Sequence, residues 1–367
     1  MSLKCGIVGL PNVGKSTLFN AITNTAKAQV ANYPFCTIEP NVGRVEVHDD
    51  RLEKLGKTVD TQKLVYNQLE IVDIAGLVVG ASKGEGLGNQ FLANIRNCDV
   101  IIHVIRCFDD GNITNVNSNV NPVRDLENIE TELQLADIDT LEKFISNNEK
   151  KAKSKDEEAI LKTNVAKKIL QLITSGNFAI NADFDDEKEK NILKQFCLLT
   201  AKKTIYVANV KESELLGNSY TQTLNDFLKK TKQNAKSIII CAATEAEISS
   251  FPKEEKLEYL KSINCNESGL DKIIKACYSA LGLITFFTVG QKETRAWQVK
   301  LGATAQEAAG VIHTDFQRGF IKAETMTYDD YIKYGSEEAT KSAGKLRTEG
   351  RDYIVQDGDI FNFKFNV

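Results

Sequence analysis

The chain has 367 residues, with 46 Lys and Arg against 50 Asp and Glu, a formal net charge of −4, and 42% hydrophobic and 26% charged residues. These values describe a globular protein of two or three domains and exclude a generic polyanion binder, leaving only local basic patches. Its longest apolar runs, such as 100–105, are far too short to span a bilayer, and no signal peptide is expected before the first strand.

Residues 3–8 form a short apolar run, and residues 9–17 read Gly-Leu-Pro-Asn-Val-Gly-Lys-Ser-Thr. This is a phosphate-binding loop between a strand and a helix. Gly9 and Gly14 let the backbone approach a phosphate. The N–H groups of Asn12, Val13, Gly14, Lys15, Ser16 and Thr17 are the candidate cradle, aided by the positive end of the following helix. Lys15 reaches the β- and γ-phosphates, and the Ser16 hydroxyl is a candidate Mg²⁺ ligand.

The segment 32–43 holds Thr37, the candidate second protein ligand of Mg²⁺; a threonine in an edge strand is the plainer alternative. A second strand is expected over 69–72, closed by Asp73-Ile-Ala-Gly76. An aspartate there can hold the Mg²⁺ shell, and the Gly76 N–H can meet a γ-phosphate. Leu77 follows, then a glycine-rich loop to Gly88, as in segments that a γ-phosphate orders. A third strand is expected over 100–105.

Between 126 and 200 the pattern becomes helical. Leu126, Ile129, Leu133 and Ala136 step by three and four, and apolar residues return at Ile160, Val165, Ile169 and Leu172 after a charged tip. An antiparallel helical hairpin is expected. Lys150, Lys151, Lys153 and Lys155 crowd its tip, as a solvated helix end or a binding patch.

Strands at 204–208 and 238–241 complete a series of strands alternating with helices, the signature of a doubly wound α/β sheet. Just past the fourth strand comes Asn209-Val-Lys-Glu212. Guanine-nucleotide proteins hold Asn-Lys-x-Asp at this place, where the Asp accepts two guanine N–H groups. Here Asn209 is kept, Val210 replaces Lys and Glu212 replaces Asp. A lengthened carboxylate loses the guanine fork, and a mismatched polar edge can cost up to about 10⁴–10⁵-fold. Adenine preference or relaxed choice is therefore expected. Residues 241–244 are the candidate loop over the base.

From about 284 the chain reads as a small α+β domain, ending in a period-two strand with Phe361, Phe363 and Phe365 on one face. The eight cysteines are spread singly with no C-x-x-C pair, as buried thiols of a reducing compartment. The expected architecture is a P-loop domain over 1–125 and 201–282, a helical arm over 126–200, and a C-terminal domain over 283–367.

These motifs together resemble the YchF / Obg-like ATPase family, a P-loop group within the Obg-related GTPases. The resemblance covers the whole chain, including a C-terminal segment similar to a TGS domain. It implies ATP hydrolysis in preference to GTP, ribosome association, RNA contact and a cytoplasmic setting. A family histidine proposed for catalysis, in the loop after the third strand, matches Asn115 here. Leu77, where many relatives carry Gln, cannot orient water. Intrinsic hydrolysis is therefore expected to be slow. Asn12 resembles the asparagine of potassium-dependent relatives and is a candidate K⁺ ligand. His48, His103 and His313 are read as structural. A GTP-specific switch of the Obg type remains open, as does a ribosome- or RNA-binding module that uses nucleotide for stability alone.

Overall fold

The computed structural model describes residues 3–30, 42–74, 87–111, 119–153, 156–232 and 235–366. The first part runs through β1 (Lys4–Val8), α1 (Lys15–Val30), β2 (Val42–Val47), α2 (Asp50–Thr58), β3 (Leu64–Val65), β4 (Asn67–Asp73), α3 (Leu87–Arg96) and β5 (Val100–Arg106). Helices α4 (Pro122–Lys153), α5 (Glu157–Thr174) and α6 (Glu187–Gln195) follow. Next come β6 (Lys203–Asn209), α7 (Ser219–Thr231), β7 (Ile238–Ile240), α8 (Ala242–Ile248), α9 (Lys253–Ser262) and α10 (Gly269–Ala280). The final part holds β8 (Leu283–Thr288), β9 (Thr294–Lys300), α11 (Ala305–Ile312), α12 (Thr314–Arg318), β10 (Phe320–Thr327), α13 (Tyr328–Tyr334), α14 (Glu337–Ser342), β11 (Arg347–Glu349) and β12 (Asp359–Phe365).

The first sheet has the order β2-β4-β1-β5-β6-β7. β4, β1, β5, β6 and β7 pair in parallel, with Cys5 between Ile71 and Val100. All seven residues of β5 are buried, as expected for a strand covered on both faces. Each strand expected in this sheet forms within a few residues of its expected place. The carboxyl ends of β1 and β4 bring the phosphate loop and Asp73 to one edge, where ligands of such sheets bind.

His103 lies inside β5, 3% exposed, with its ring centroid 6.3 Å from that of Tyr206. Burial, helped by the Lys232 and Lys15 charges, pushes its pKa down to about 3. An unfolded chain keeps the ordinary value near 6.5, so between these values the unfolded state binds more protons. This contribution to stability is complete above pH 6.5 and is lost as pH falls toward 3. At pH 5 the expected loss is about 2 kcal/mol. Denaturant unfolding at pH 7 and pH 5 checks it: His103→Leu should flatten the difference, and an unchanged slope would remove His103 as its source.

The arm forms as expected, with α4 a single helix of 32 residues. Pro122 opens it, where a missing N–H costs nothing. Asp156 caps α5, accepting from the Ala159 N–H at 3.1 Å. The Gln134 amide donates to the Asn177 carbonyl at 3.0 Å, so the early part of α4 lies against the end of α5 and the two run antiparallel. Leu141, Val165, Ala166, Ile169 and Ile173 form the seam, and Phe184, Ile192 and Leu198 extend it. Fully buried Asp137 fastens the returning chain, accepting from the N–H groups of Leu199 and Thr200 at 2.9 and 2.8 Å. The Lys150, Lys151, Lys153 and Lys155 side chains lie outside what the structure describes.

The chain divides into two compact units, one of Met1–Arg44 and Glu70–Ile273, the other of Val45–Leu69 and Ile274–Val367. This differs from the expected boundaries. The stretch 45–69, read as part of the P-loop domain, completes the C-terminal core instead. Leu52 and Leu55 of α2 are fully buried with Phe287, Ala296, Met326, Tyr331 and Ile360. Truncating either leucine to alanine costs about 2–5 kcal/mol. Arg51 pairs with Asp49 at 2.8 Å and Asp357 at 2.7 Å and lies over the Phe287 ring. β3 pairs in parallel with β9, so the second sheet reads β11-β10-β12-β8-β9-β3. Phe361 and Phe363 pack with Phe286, as their period-two spacing expects, while Phe365 is exposed and stacks on Phe316 at 3.9 Å.

None of the described cysteines forms a disulfide. Among the described residues no helix is long and apolar enough to cross a membrane.

Candidate nucleotide site

The loop after β1 is shaped by two glycines. A Cβ on Gly9 would meet the Val104 carbonyl oxygen at 2.5 Å, so only glycine passes β5 this closely. Gly14 has φ +99° and leaves the space that the Asn209 amide occupies. Asn12 is also left-handed, at φ 61°, a conformation asparagine tolerates better than most residues. Asn12, Ser16 and Thr17 are exposed, while Val13 and Lys15 are buried.

The Lys15 ammonium, 8% exposed, donates to the Leu10 carbonyl at 3.0 Å. Burial holds its pKa below the usual lysine value, and the Asp73 charge opposes that shift. Asp73 mirrors it: burial raises its pKa and Lys15 opposes. Its Oδ1 is buried with no hydrogen-bond partner among the described residues. Leaving a buried carboxylate oxygen unsatisfied costs about 1–3 kcal/mol or more. That oxygen and the exposed Ser16 hydroxyl are hard oxygen donors of the kind Mg²⁺ takes, so the residues present fit the ion. Thr37, Gly76, Leu77 and Asn115 lie outside the described residues.

The strand-end motif proves to be a clamp. The Asn209 Nδ2 donates to the Val13 carbonyl at 2.9 Å, and its Oδ1 accepts from the Ala242 N–H at 2.9 Å. Asn209 thus ties the phosphate loop to the start of α8, and its amide is spent on position. Val210 follows it into the core. It is 2% exposed, packs with Leu224 and Leu228, and gives its N–H to the Ile240 carbonyl at 2.8 Å. Its side chain is a core side chain, because an apolar group there gains most by burial. Glu212 is exposed and accepts from the Thr244 hydroxyl at 3.3 Å and from the Tyr259 hydroxyl. Tyr259 lies on α9, 47 residues past Glu212, and no local motif marks it. His48 pairs with Asp50 at 3.2 Å, and His313 caps α12 through the Asp315 N–H at 3.1 Å; both belong to the C-terminal unit.

This geometry, a phosphate loop facing a strand-end aspartate and clamped to a base-side loop, is that of a nucleotide-binding G domain. A family model described as 50S ribosome-binding GTPase matches residues 4–135. A second, YchF-GTPase_C, described as a protein of unknown function, matches residues 283–366. The protein of Bacillus subtilis named "Ribosome-binding ATPase YchF" is 51% identical over all of both chains. The chain belongs to the YchF family. The Escherichia coli O157:H7 YchF of the same description is 49% identical, again over all of both chains. Among solved structures, that named for the Schizosaccharomyces pombe YchF GTPase matches with a TM-score of 0.88 and 38% identity, covering 99% of this chain and 98% of that one. The YchF resemblance read from the motifs is thereby borne out, as is the P-loop α/β fold with its added C-terminal domain.

Proposed function

We propose that this chain is a ribosome-associated P-loop NTPase switch that binds ATP in preference to GTP and hydrolyses it slowly with Mg²⁺. Its full-length match, at 51% and 49% identity, to proteins named ribosome-binding ATPases supports the class of activity. The single observation that carries the base choice is at the strand-end motif. Val210 is withdrawn into the core, and the Glu212 carboxylate is engaged by Thr244 and Tyr259. A carboxylate so engaged is a poor fork for the two guanine N–H groups, while it can accept from an adenine amino group.

In the proposed reaction Lys15 leaves the Leu10 carbonyl for the β- and γ-phosphate oxygens and offsets their charge. Ser16, with Thr37, would hold Mg²⁺, and Asp73 would orient its water shell; when bound, the ion would neutralise negative charge on the phosphates. Gly76 is proposed to meet the γ-phosphate through its N–H. Leu77 offers the attacking water no hydrogen bond, which is the reason turnover is slow. Asn12 is a candidate K⁺ ligand: turnover in KCl should exceed that in NaCl at equal ionic strength, and equal rates would remove it from this role. The arm over 126–200 and the TGS-like domain over 283–367 are the proposed surfaces for the ribosome and its RNA, in the cytoplasm.

Titration with fluorescent ATP and GTP analogues tests the central claim. ATP is expected to bind about tenfold tighter or better, since a mismatched polar edge discriminates at least that strongly. GTP binding tenfold tighter than ATP would overturn the base reading and favour a GTP-specific switch.

A further inference from the structure

Glu245 has no part in the chemistry above, yet it is a carboxylic side chain only 4% exposed. Its Oε1 accepts from the Gly269 N–H at 2.6 Å, and the Leu270 N–H also faces it. Its carboxylate therefore meets the first turn of α10, where the helix dipole favours an anion. Its Oε2 is buried with no hydrogen-bond partner among the described residues. A carboxylate chosen only for stability would not leave one oxygen so exposed to cost.

The position of Glu245 explains why it is kept. It is on α8, one residue after Thr244, whose hydroxyl holds Glu212. Three residues before it, the Ala242 N–H holds the Asn209 clamp. Its own N–H closes the first α8 turn on the Cys241 carbonyl at 2.9 Å. Gly269 is close in turn, because a Cβ there would meet Ile240 of β7 at 2.5 Å. The turn 241–244 is thus held from one side by Asn209 and from the other by Glu245. Lys256, 3.8 Å from Asp271, is the nearby cation and opposes the rise that burial causes in the Glu245 pKa.

We infer that Glu245 is a positioning residue for the nucleotide base, fixing the turn 241–244 against α10 so that Thr244 and Glu212 meet the base edge in one place. This deepens the proposed ATP preference and rests on reading 241–244 as the base loop. Glu245→Gln removes the charge that the two N–H groups attract and exchanges the orphan oxygen for an equally unpaired amide. Its thermal stability should change little, while the turn loosens.

The test compares two probes in Mg²⁺ by calorimetry on the full chain. ATP engages both phosphate loop and base loop; inorganic tripolyphosphate engages the phosphate loop alone. For Glu245→Gln, ATP affinity is expected to fall about tenfold while tripolyphosphate affinity holds. Glu245→Asp keeps the charge one methylene short and should show a smaller, ATP-only loss; it decides the matter should the Gln variant not purify folded. Equal losses for both probes, or unchanged ATP affinity, would overturn the inference. Wild-type protein that binds ATP no tighter than tripolyphosphate would overturn the base-loop reading along with it.

Discussion

Lys15→Met is expected to lower triphosphate hydrolysis by about 10²–10³-fold, the loss typical of removing one charge-stabilising donor from a phosphoryl or acyl site. The same change should leave the nucleotide-free fold intact. Lys15 is buried, and that burial works against its charge. Methionine fills nearly the same volume with no ammonium to desolvate. Its liabilities are Asp73, which loses the cation that opposes its raised pKa, and the Leu10 carbonyl, which loses its donor. The gain and the losses act in opposite directions, and the thermal midpoint is expected to move by no more than a few degrees. Turnover and thermal unfolding on the same preparation separate the two. A variant that keeps more than about a tenth of wild-type turnover would remove Lys15 from the reaction.

Asn209→Ala should act on binding more than on chemistry. The wild-type amide satisfies the Val13 carbonyl and the Ala242 N–H together. Alanine leaves both without a partner in a buried place, at about 1–3 kcal/mol each. Without nucleotide the two loops can part and reach water. Binding then has to reassemble them, so most of the cost falls on affinity. ATP is expected to bind about 100-fold more weakly. Affinity within about twofold of wild type would mean that the two loops are held by something else.

The two variants show what the sequence made legible. The phosphate loop and its strand were readable because their signal is local: glycine, lysine and hydroxyl at fixed spacing, between an apolar run and a helical face. The parallel strands were readable because burial on both faces makes them continuous apolar runs. The arm was readable through its helical period, and Leu126, Ile129, Leu133 and Ala136 are indeed buried. Contacts between distant segments were not. Leu52 and Leu55 announce an apolar helix face, but a period does not say which sheet covers it. Val210 announced a departure from a lysine, not that its side chain packs with Leu224. Glu212 was singled out by its position, whereas Tyr259 and Glu245, which hold or flank it, carry no spacing signal because their partners come from other elements.

The placement of α2 in the C-terminal core sets an order of events during synthesis. Leu52 and Leu55 emerge early, yet Phe287 and Ile360, against which they pack, are made more than 200 residues later. At about 5–20 residues per second, this apolar face waits roughly 10–60 s for its partners. The unit that holds the phosphate loop also closes only when Ile273 is made. Neither unit can be completed from one uninterrupted stretch of nascent chain. The newborn protein therefore carries Leu52 and Leu55 without their packing partners through most of its translation.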